Sequence, residues 1–301
     1  MKKIIIVFVV IILVGFGAYF LIQWWGANNV AVTPDITKPP TDKQASGTPV
    51  VAENKSETVI GKSVQGRDIT AYHFGTGDTK VLFVGGIHGG YEWNTTLVAY
   101  EMMDYLKANL IAIPKNVQVT VIPVLNPDGL NKVLGTAGRF STADVTASQA
   151  VQVSGRYNAN MVDLNRNFDC DWQTTGKWQS KTVSGGSVAF SEPESLAIKN
   201  YVEAENPAAV VVFFSAAGGI FSSSCNGGVL PETSTITNLY AKAAGYPAYK
   251  SFDFYETTGD MTNWLAKINI PAISVILTTH TDTEWSKNQA GIMAIIQNYA
   301  K

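Results

Sequence analysis

Four short runs of apolar, mostly β-branched residues alternate with segments of helical periodicity in this sequence. They are KVLFVGG (residues 80–86), VQVTVIPV (117–124), AVVVFF (209–214) and PAISVIL (271–277). A strand that is apolar throughout is covered on both faces, as in parallel sheets flanked by helices. We therefore predict an α/β fold with a mostly parallel sheet, in which a functional site lies beyond the carboxyl ends of the strands.

The beginning of the chain has the pattern of a membrane anchor. Two lysines precede an uncharged apolar run over residues 4–22, and Trp24 and Trp25 follow it. A helix of that length spans about 28 Å, close to the hydrocarbon thickness of a bilayer. We predict an uncleaved transmembrane helix that leaves the rest of the chain outside the cytoplasm. A cleaved signal, which would release a secreted protein, is the alternative.

Composition divides the chain into three parts. We predict a membrane anchor or signal at 1–26, a disordered linker at 27–57 and a folded domain at 58–301. The linker is rich in Pro, Thr and Ser without an apolar period, so it cannot bury enough surface to order itself. The net charge of −2 provides no basic field for a phosphate backbone, and we expect no nucleic-acid partner.

Cys170 and Cys225 are the two cysteines of the sequence. In an oxidising compartment they could form a disulfide, because both lie in loop-like segments rich in Gly, Ser and Asp. Two unpaired thiols are the alternative, since the sequence does not fix the distance between their Cα atoms.

Polar residues that could take part in catalysis or metal binding follow the first buried strand. His88 and Glu92 lie in GGIHGGYEW, where an imidazole and a carboxylate that arrive together could form half of a zinc site. Further polar motifs follow downstream, namely LNPDG, GRYNANMVDLNRNFD, FSEPE and YETTGDMTNW. We interpret the Asn-Pro-Asp-Gly portion as turn-forming rather than catalytic.

Asn165 and Arg166 lie in the longest of these motifs. A guanidinium offers a bidentate fork to a carboxylate, and a neighbouring amide can fix its orientation. The pair is therefore a candidate for binding a carboxylate ligand. An ion pair with Asp163 or Asp169 that only fixes the loop is the alternative.

In order and approximate spacing, these motifs resemble those of the zinc carboxypeptidases of the carboxypeptidase A type, over nearly all of residues 58–301. The resemblance implies an eight-stranded mixed sheet between helices and a zinc ion held by two histidines and a glutamate. It also implies a second glutamate that activates water. The implied substrate is the C-terminus of a peptide, with cell-wall peptides as one class.

The resemblance also assigns roles to individual residues. His88 and Glu92 match two zinc ligands, Asn165 and Arg166 the pair that binds the terminal carboxylate, Arg156 or else Arg139 the arginine that polarises the scissile carbonyl, and Tyr255 the tyrosine that closes over the site. A tyrosine packed on the surface is the alternative for Tyr255.

Three departures from the family pattern fall on the catalytic positions. One extra residue separates His88 from Glu92. The third zinc ligand aligns with Phe214 or Ser215, neither of which is an ordinary zinc ligand. The glutamate base aligns with Ile276, and the loss of a general base typically costs about 10² to 10⁴ in rate.

Other residues could replace the missing groups. His280, Glu284 and Glu256 are near the site motifs in sequence, and His280 is the best candidate ligand, although it could be an ordinary loop residue. His73, in the early hairpin, is remote.

Two main hypotheses follow for the function. The first is a zinc carboxypeptidase that removes C-terminal residues outside the cytoplasm. The second is a pseudoenzyme that has lost hydrolysis and binds C-terminal carboxylates of peptides. A third, an esterase or amidase with Ser215 as nucleophile, lacks a convincing His–acid partner in the sequence.

Overall fold

The computed structural model of the protein describes residues 56–301. The strands of the main sheet are β1 (Glu57–Lys62), β2 (Asp68–Phe74), β3 (Thr79–Val84), β4 (Val117–Ile122), β7 (Ala209–Ser215), β8 (Gly219–Ser222), β9 (Ala248–Tyr249) and β10 (Ala272–Leu277). Between β4 and β7 along the chain, β5 (Thr175–Trp178) and β6 (Lys181–Ser184) form a separate antiparallel hairpin. The α-helices are α1 (Trp93–Ala108), α2 (Pro127–Leu134), α3 (Gln149–Ser154), α4 (Pro193–Glu205), α5 (Pro231–Ala244), α6 (Met261–Lys267) and α7 (Trp285–Asn298).

The main sheet has the order β1-β2-β4-β3-β7-β10-β8-β9. Its four central strands, β4, β3, β7 and β10, are parallel to one another. At the edges, β1 and β2 run antiparallel to their neighbours, and so does β8 against β10. The predicted mixed, mostly parallel sheet of eight strands is therefore confirmed. Because β3, β7 and β10 are parallel, the loops that leave their carboxyl ends meet at one edge of the sheet.

The central strands are buried on both faces, as their continuous apolar sequences predict. In β7, Val211 and Phe213 belong to the core cluster that packs against α1, α5 and α7. Val212 and Phe214 belong to the second cluster, which packs against α4 and α6. Successive side chains of a strand point to opposite faces, so an alternating polar pattern would have left one face uncovered.

The LNPDG motif begins a helix, and our interpretation of it as a simple turn was wrong. Asn126 caps α2, because its side-chain oxygen accepts a hydrogen bond of 2.8 Å from the backbone N–H of Gly129. Pro127 occupies the first turn, where its missing N–H costs nothing. Asparagine and proline serve in turns and in helix N-termini for the same conformational reasons, so the motif alone does not distinguish the two.

Cys170 and Cys225 form a disulfide, with their Cα atoms 6.1 Å apart. The bridge connects the long segment after α3 to the loop after β8, which resolves the alternatives that the sequence left open. No helix within residues 56–301 is long and apolar enough to cross a membrane. The predicted anchor at 1–26 lies outside the described residues, as does the linker at 27–57 apart from its last two positions, and both stay predictions.

Candidate functional site

A cleft of about 720 Å³ opens at the carboxyl edge of β3, β7 and β10. We call it the central cleft. Its walls include the first-choice candidates for metal and substrate, both replaced catalytic positions and the candidate substitute histidine: His88, Glu92, Arg156, Asn165, Arg166, Phe214, Ser215, Tyr255, Ile276 and His280. Residues that are up to 192 positions apart in the sequence therefore converge at one site.

Three of the alternative candidates lie elsewhere. Arg139 forms an exposed bidentate ion pair with Asp104, at 2.7 and 2.8 Å. Glu284 accepts hydrogen bonds from Thr278 and Lys287 outside the cleft, and Glu256 is absent from the cleft walls. Of the two candidate arginines, only Arg156 is therefore in a position to act on a ligand in the central cleft.

The extra residue between His88 and Glu92 is accommodated by glycine. Gly89 has a φ of +47°, and a Cβ at this position would lie 2.7 Å from the carbonyl oxygen of Gly155. The loop can therefore bend tightly, and it brings His88 Nδ1 to 2.9 Å from Glu92 Oε1. Both ring nitrogens of His88 are buried, yet neither makes a well-formed hydrogen bond within the described residues.

A buried ion pair supports this corner of the cleft. Arg156 Nε donates to Asp163 Oδ2 at 2.8 Å, and Asp163 Oδ1 lies 3.2 Å from His88 Nε2. Burial raises the pKa of Asp163, but the neighbouring Arg156, His88 and Arg166 side chains outweigh it and hold the pKa well below its ordinary value. The guanidinium of Arg156 also packs over the ring of Trp178, 4.5 Å from its centroid.

Arg166 lines the cleft in a different way, because its partners are backbone carbonyls. Its Nε and Nη2 donate to Lys177 O at 3.0 and 2.7 Å, and its Nη1 donates to Asn165 O. The side chain is only 1% exposed, and within residues 56–301 no carboxylate pairs with it. The alternative of a loop-fixing ion pair is wrong, since Asp163 pairs with Arg156 and Asp169 pairs with Lys267.

The amide of Asn165 is already engaged within the protein. Its Nδ2 donates to Asp260 Oδ2 at 2.8 Å, and its Oδ1 accepts from the backbone N–H of Met261 at 3.0 Å. Asp260 is the N-cap of α6, so Asn165 connects the Arg166 loop to the start of that helix. The amide therefore fixes the loop on which Arg166 lies.

Tyr255 lies in the cleft wall beside Arg166. The guanidinium carbon of Arg166 is 6.0 Å from the centroid of the tyrosine ring, and Phe252 packs edge-on against the same ring at 4.9 Å. Burial raises the pKa of the Tyr255 hydroxyl, which keeps it protonated at neutral pH. Tyr255 therefore lies in the cleft wall, and the alternative of simple surface packing is wrong.

The two replaced catalytic positions are direct neighbours. Phe214 of β7 and Ile276 of β10 are paired in register across the parallel strands, and both line the cleft. The Phe214 ring is 5.7 Å from the His88 ring, so a phenyl group lies where the third zinc ligand is expected. An aromatic hydrocarbon beside an aliphatic side chain neither binds zinc nor transfers a proton.

The remaining ligand candidates do not complete a metal site. Among the described residues, three potential ligand atoms approach one another within 4.8 Å only at Cys170, Asp171 and Cys225, and both cysteines are in the disulfide. His280 therefore does not form a close triple with His88 and Glu92. Catalytic zinc sites use three protein ligands, so the residues present do not fit the zinc site that the resemblance implies.

A contact that sequence reasoning missed joins Ser215 to His280. Ser215 Oγ lies 2.8 Å from His280 Nδ1, and Tyr91 Oη lies 3.2 Å from His280 Nε2. The signal was the strand order: β10 lies beside β7 with Leu277 opposite Ser215, so the loop after β10 begins next to the serine. Burial lowers the pKa of His280, which favours its neutral form.

Comparisons with known proteins agree with this fold. The family model described as zinc carboxypeptidase matches residues 52–284, and the chain belongs to that family. Metallocarboxypeptidase A of Arthroderma otae is 28% identical over 247 residues, which cover 71% of this chain and 56% of that protein. The chain spans between 36% and 56% of the length of the first three curated relatives it matches.

Two solved structures illustrate the likeness of the fold. Murein-tripeptide amidase MpaA from Escherichia coli O157 superposes with a TM-score of 0.56 at 21% identity, over 82% of this chain and 93% of that chain. Bovine thrombin-activatable fibrinolysis inhibitor superposes with a TM-score of 0.63 at 16% identity, over 80% and 90% of the two chains. At these identities the likeness concerns the fold alone.

Proposed function

We propose that the central cleft binds the C-terminal carboxylate of a peptide outside the cytoplasm, without zinc-dependent hydrolysis. The observation that carries this proposal is the Arg166 guanidinium. It is buried in the cleft wall and, within residues 56–301, donates to backbone carbonyls and has no carboxylate within 4.0 Å. A buried cation without a carboxylate in direct contact is costly, and a ligand carboxylate would supply that contact.

The lost catalytic groups support the second part of the proposal. Phe214 and Ile276 occupy the positions of the third zinc ligand and of the general base, and they line the cleft as neighbours on adjacent strands. Arg166, which we propose binds the carboxylate, lines the same cleft. Of the two main hypotheses, the pseudoenzyme therefore agrees better with the chemistry of the residues present.

The proposed extracytoplasmic setting rests on one observation and one prediction from the sequence. The Cys170–Cys225 disulfide is typical of proteins in oxidising compartments, which supports an extracytoplasmic domain. The predicted anchor at 1–26 would hold that domain at the membrane surface. One structural neighbour bears the name murein-tripeptide amidase, so cell-wall peptides are the first ligand class to test.

Calorimetry with matched peptides tests the binding. A peptide with a free C-terminal carboxylate should bind about 10- to 100-fold more tightly than its C-terminal amide, because a hydrogen bond to a charged group contributes about 1.5 to 3 kcal/mol. Arg166→Gln should remove this difference, and Arg139→Gln, a matched change outside the cleft, should retain it. Equal affinity for acid and amide in the unmodified protein would refute the proposed contact.

Zinc analysis tests the loss of hydrolysis. We expect less than one equivalent of zinc by elemental analysis and no EDTA-sensitive release of C-terminal residues from a mixed peptide pool, in the unmodified protein and in Glu92→Ala alike. Stoichiometric zinc together with release that Glu92→Ala abolishes would instead establish the zinc carboxypeptidase hypothesis.

A further inference from the structure

One hydroxyl–imidazole pair in the central cleft has no part in binding a carboxylate. Ser215 Oγ is 2.8 Å from His280 Nδ1, within hydrogen-bonding distance. Both residues line the cleft, and they follow the carboxyl ends of the neighbouring strands β7 and β10. A serine next to an imidazole is the arrangement in which a hydroxyl is activated as a nucleophile.

The contacts around His280 orient the imidazole toward the serine. Tyr91 Oη is 3.2 Å from Nε2. The phenolic oxygen can accept a hydrogen bond from Nε2–H, which leaves Nδ1 as an acceptor facing Ser215. The Tyr91 ring also packs against His280, with the centroids 4.7 Å apart.

Asn94 fixes the serine from the other side. Its Nδ2 donates to the carbonyl oxygens of Thr279 and Asp282, at 2.7 and 2.9 Å, which holds the loop that carries His280. Its Oδ1 lies 3.0 Å from Ser215 Oγ, so the hydroxyl proton has two acceptors, Asn94 and His280. The asparagine thus keeps both members of the pair in place.

One carboxylate connects the serine to a cation in the same cleft. Arg156 Nη1 lies 3.6 Å from Glu92 Oε1, and the backbone N–H of Ser215 donates to Glu92 Oε2 at 3.2 Å. The two oxygens of one carboxylate therefore contact both the guanidinium and the backbone of the serine. Arg156 is therefore a candidate to stabilise the negative charge that a carbonyl attacked by Ser215 would develop.

We propose that Ser215 and His280 act as nucleophile and general base in a metal-independent acyl transfer on esters or amides bound in the central cleft. For a peptide substrate the inference rests on the proposed function, because Arg166 would hold the carboxylate of the leaving residue. For a small neutral ester the inference does not depend on the proposed function.

The reaction consumes one water molecule and no other reactant. The Ser215 oxygen attacks the carbonyl carbon, and its proton passes to His280 Nδ1. The bond to the leaving amine or alcohol then breaks as His280 returns that proton to the leaving group, and an acyl-serine ester remains. Water, deprotonated by His280, hydrolyses this ester, which releases the acid and restores the hydroxyl.

Covalent labelling in the presence of EDTA tests the proposal. The full chain is treated with a fluorophosphonate, and the modified residue is identified by intact mass and peptide mapping. We expect one adduct, on Ser215, and p-nitrophenyl acetate hydrolysis that Ser215→Ala abolishes. His280→Gln should slow the labelling by about 10² or more, the typical contribution of a general base. His73→Gln and Ser154→Ala, both outside the cleft, should label at the original rate.

The result on the unmodified protein decides the question even if a variant fails to fold. No adduct on Ser215, or an adduct that forms equally fast in folded His280→Gln, overturns the proposal. Failure of the carboxylate contact would appear separately, as equal binding of peptide acids and amides with labelling of Ser215 unaffected. Failure of the acyl transfer would leave the preference for peptide acids intact.

Discussion

Replacing Phe214 by histidine should create a zinc site in the central cleft. His88 Nδ1 and Glu92 Oε1 are 2.9 Å apart, near the separation of about 3.3 Å between two ligands of a tetrahedral zinc ion. The Phe214 ring lies 5.7 Å from that of His88, so an imidazole on the same backbone position faces the existing pair. Phe214→His therefore supplies the third protein ligand that catalytic zinc sites use.

The expected effect is a zinc-dependent gain in thermal stability. A ligand at 100 to 1,000 times its dissociation constant stabilises the folded state by about 2.7 to 4.1 kcal/mol. For a domain of this size, 1 kcal/mol shifts Tm by roughly 2 to 4 °C, so zinc should raise the Tm of Phe214→His by about 5 to 16 °C. Without zinc, the imidazole in an apolar contact should lower stability by about 1 to 3 kcal/mol.

Thermal unfolding with zinc or EDTA measures this effect directly. The unmodified protein and Phe214→Leu, which offers no ligand, serve as controls, and His88→Ala in the Phe214→His background should abolish the shift. Elemental analysis should give one zinc per chain for Phe214→His only. If zinc stabilises the unmodified protein as much as the variant, Phe214 does not occupy the third ligand position, and our conclusion that the cleft lacks a complete zinc site is wrong.

Three further predictions concern stability. Asp163→Asn leaves the buried Arg156 without its closer ion-pair partner, with only Glu92 at 3.6 Å, and should cost about 3 to 5 kcal/mol in urea unfolding; a loss below 1 kcal/mol would contradict the buried pair. The pKa of Glu284 is lowered to about 2 because the donors at its carboxylate outweigh burial. Its contribution, about 3 kcal/mol at most, is therefore present above about pH 4.5 and lost toward pH 2. The stability difference from Glu284→Gln should shrink over that range, and a constant difference would refute the assignment. Reduction of the Cys170–Cys225 bridge, which closes a loop with a sequence separation of 55, should lower the unfolding free energy by about 4 kcal/mol by the loop-entropy estimate; an unchanged urea midpoint in dithiothreitol would contradict it.

The architecture could be predicted from sequence because its signals are local. Strands such as β3 and β7 are apolar on both faces, which requires layers of helix on each side, and parallel strands bring their carboxyl ends to one edge. That rule was sufficient to expect His88 near Phe214 and Ile276. It could not decide between Phe214 and Ser215 as the third position, because a shift of one residue reverses the face of a strand.

The partners of the site residues could not be predicted in the same way. Arg166 donates to the backbone carbonyl of Lys177, and the sequence does not indicate a backbone acceptor because every residue has one. The β5–β6 hairpin that supplies this carbonyl lies in a stretch without clear periodicity, since each of its strands has only four residues. The contact between Ser215 and His280 depends on the register of β7 and β10, which only the folded sheet determines.

The β5–β6 hairpin supports both cationic side chains of the cleft through consecutive residues. Lys177 accepts from Arg166, and Trp178 packs against Arg156. A displacement of this one small element would move the two guanidinium groups together. The contact of Arg166 with the ligand's carboxylate and the position of Arg156 near its reacting bond therefore depend on the same hairpin. A mutation that loosens the hairpin should impair both.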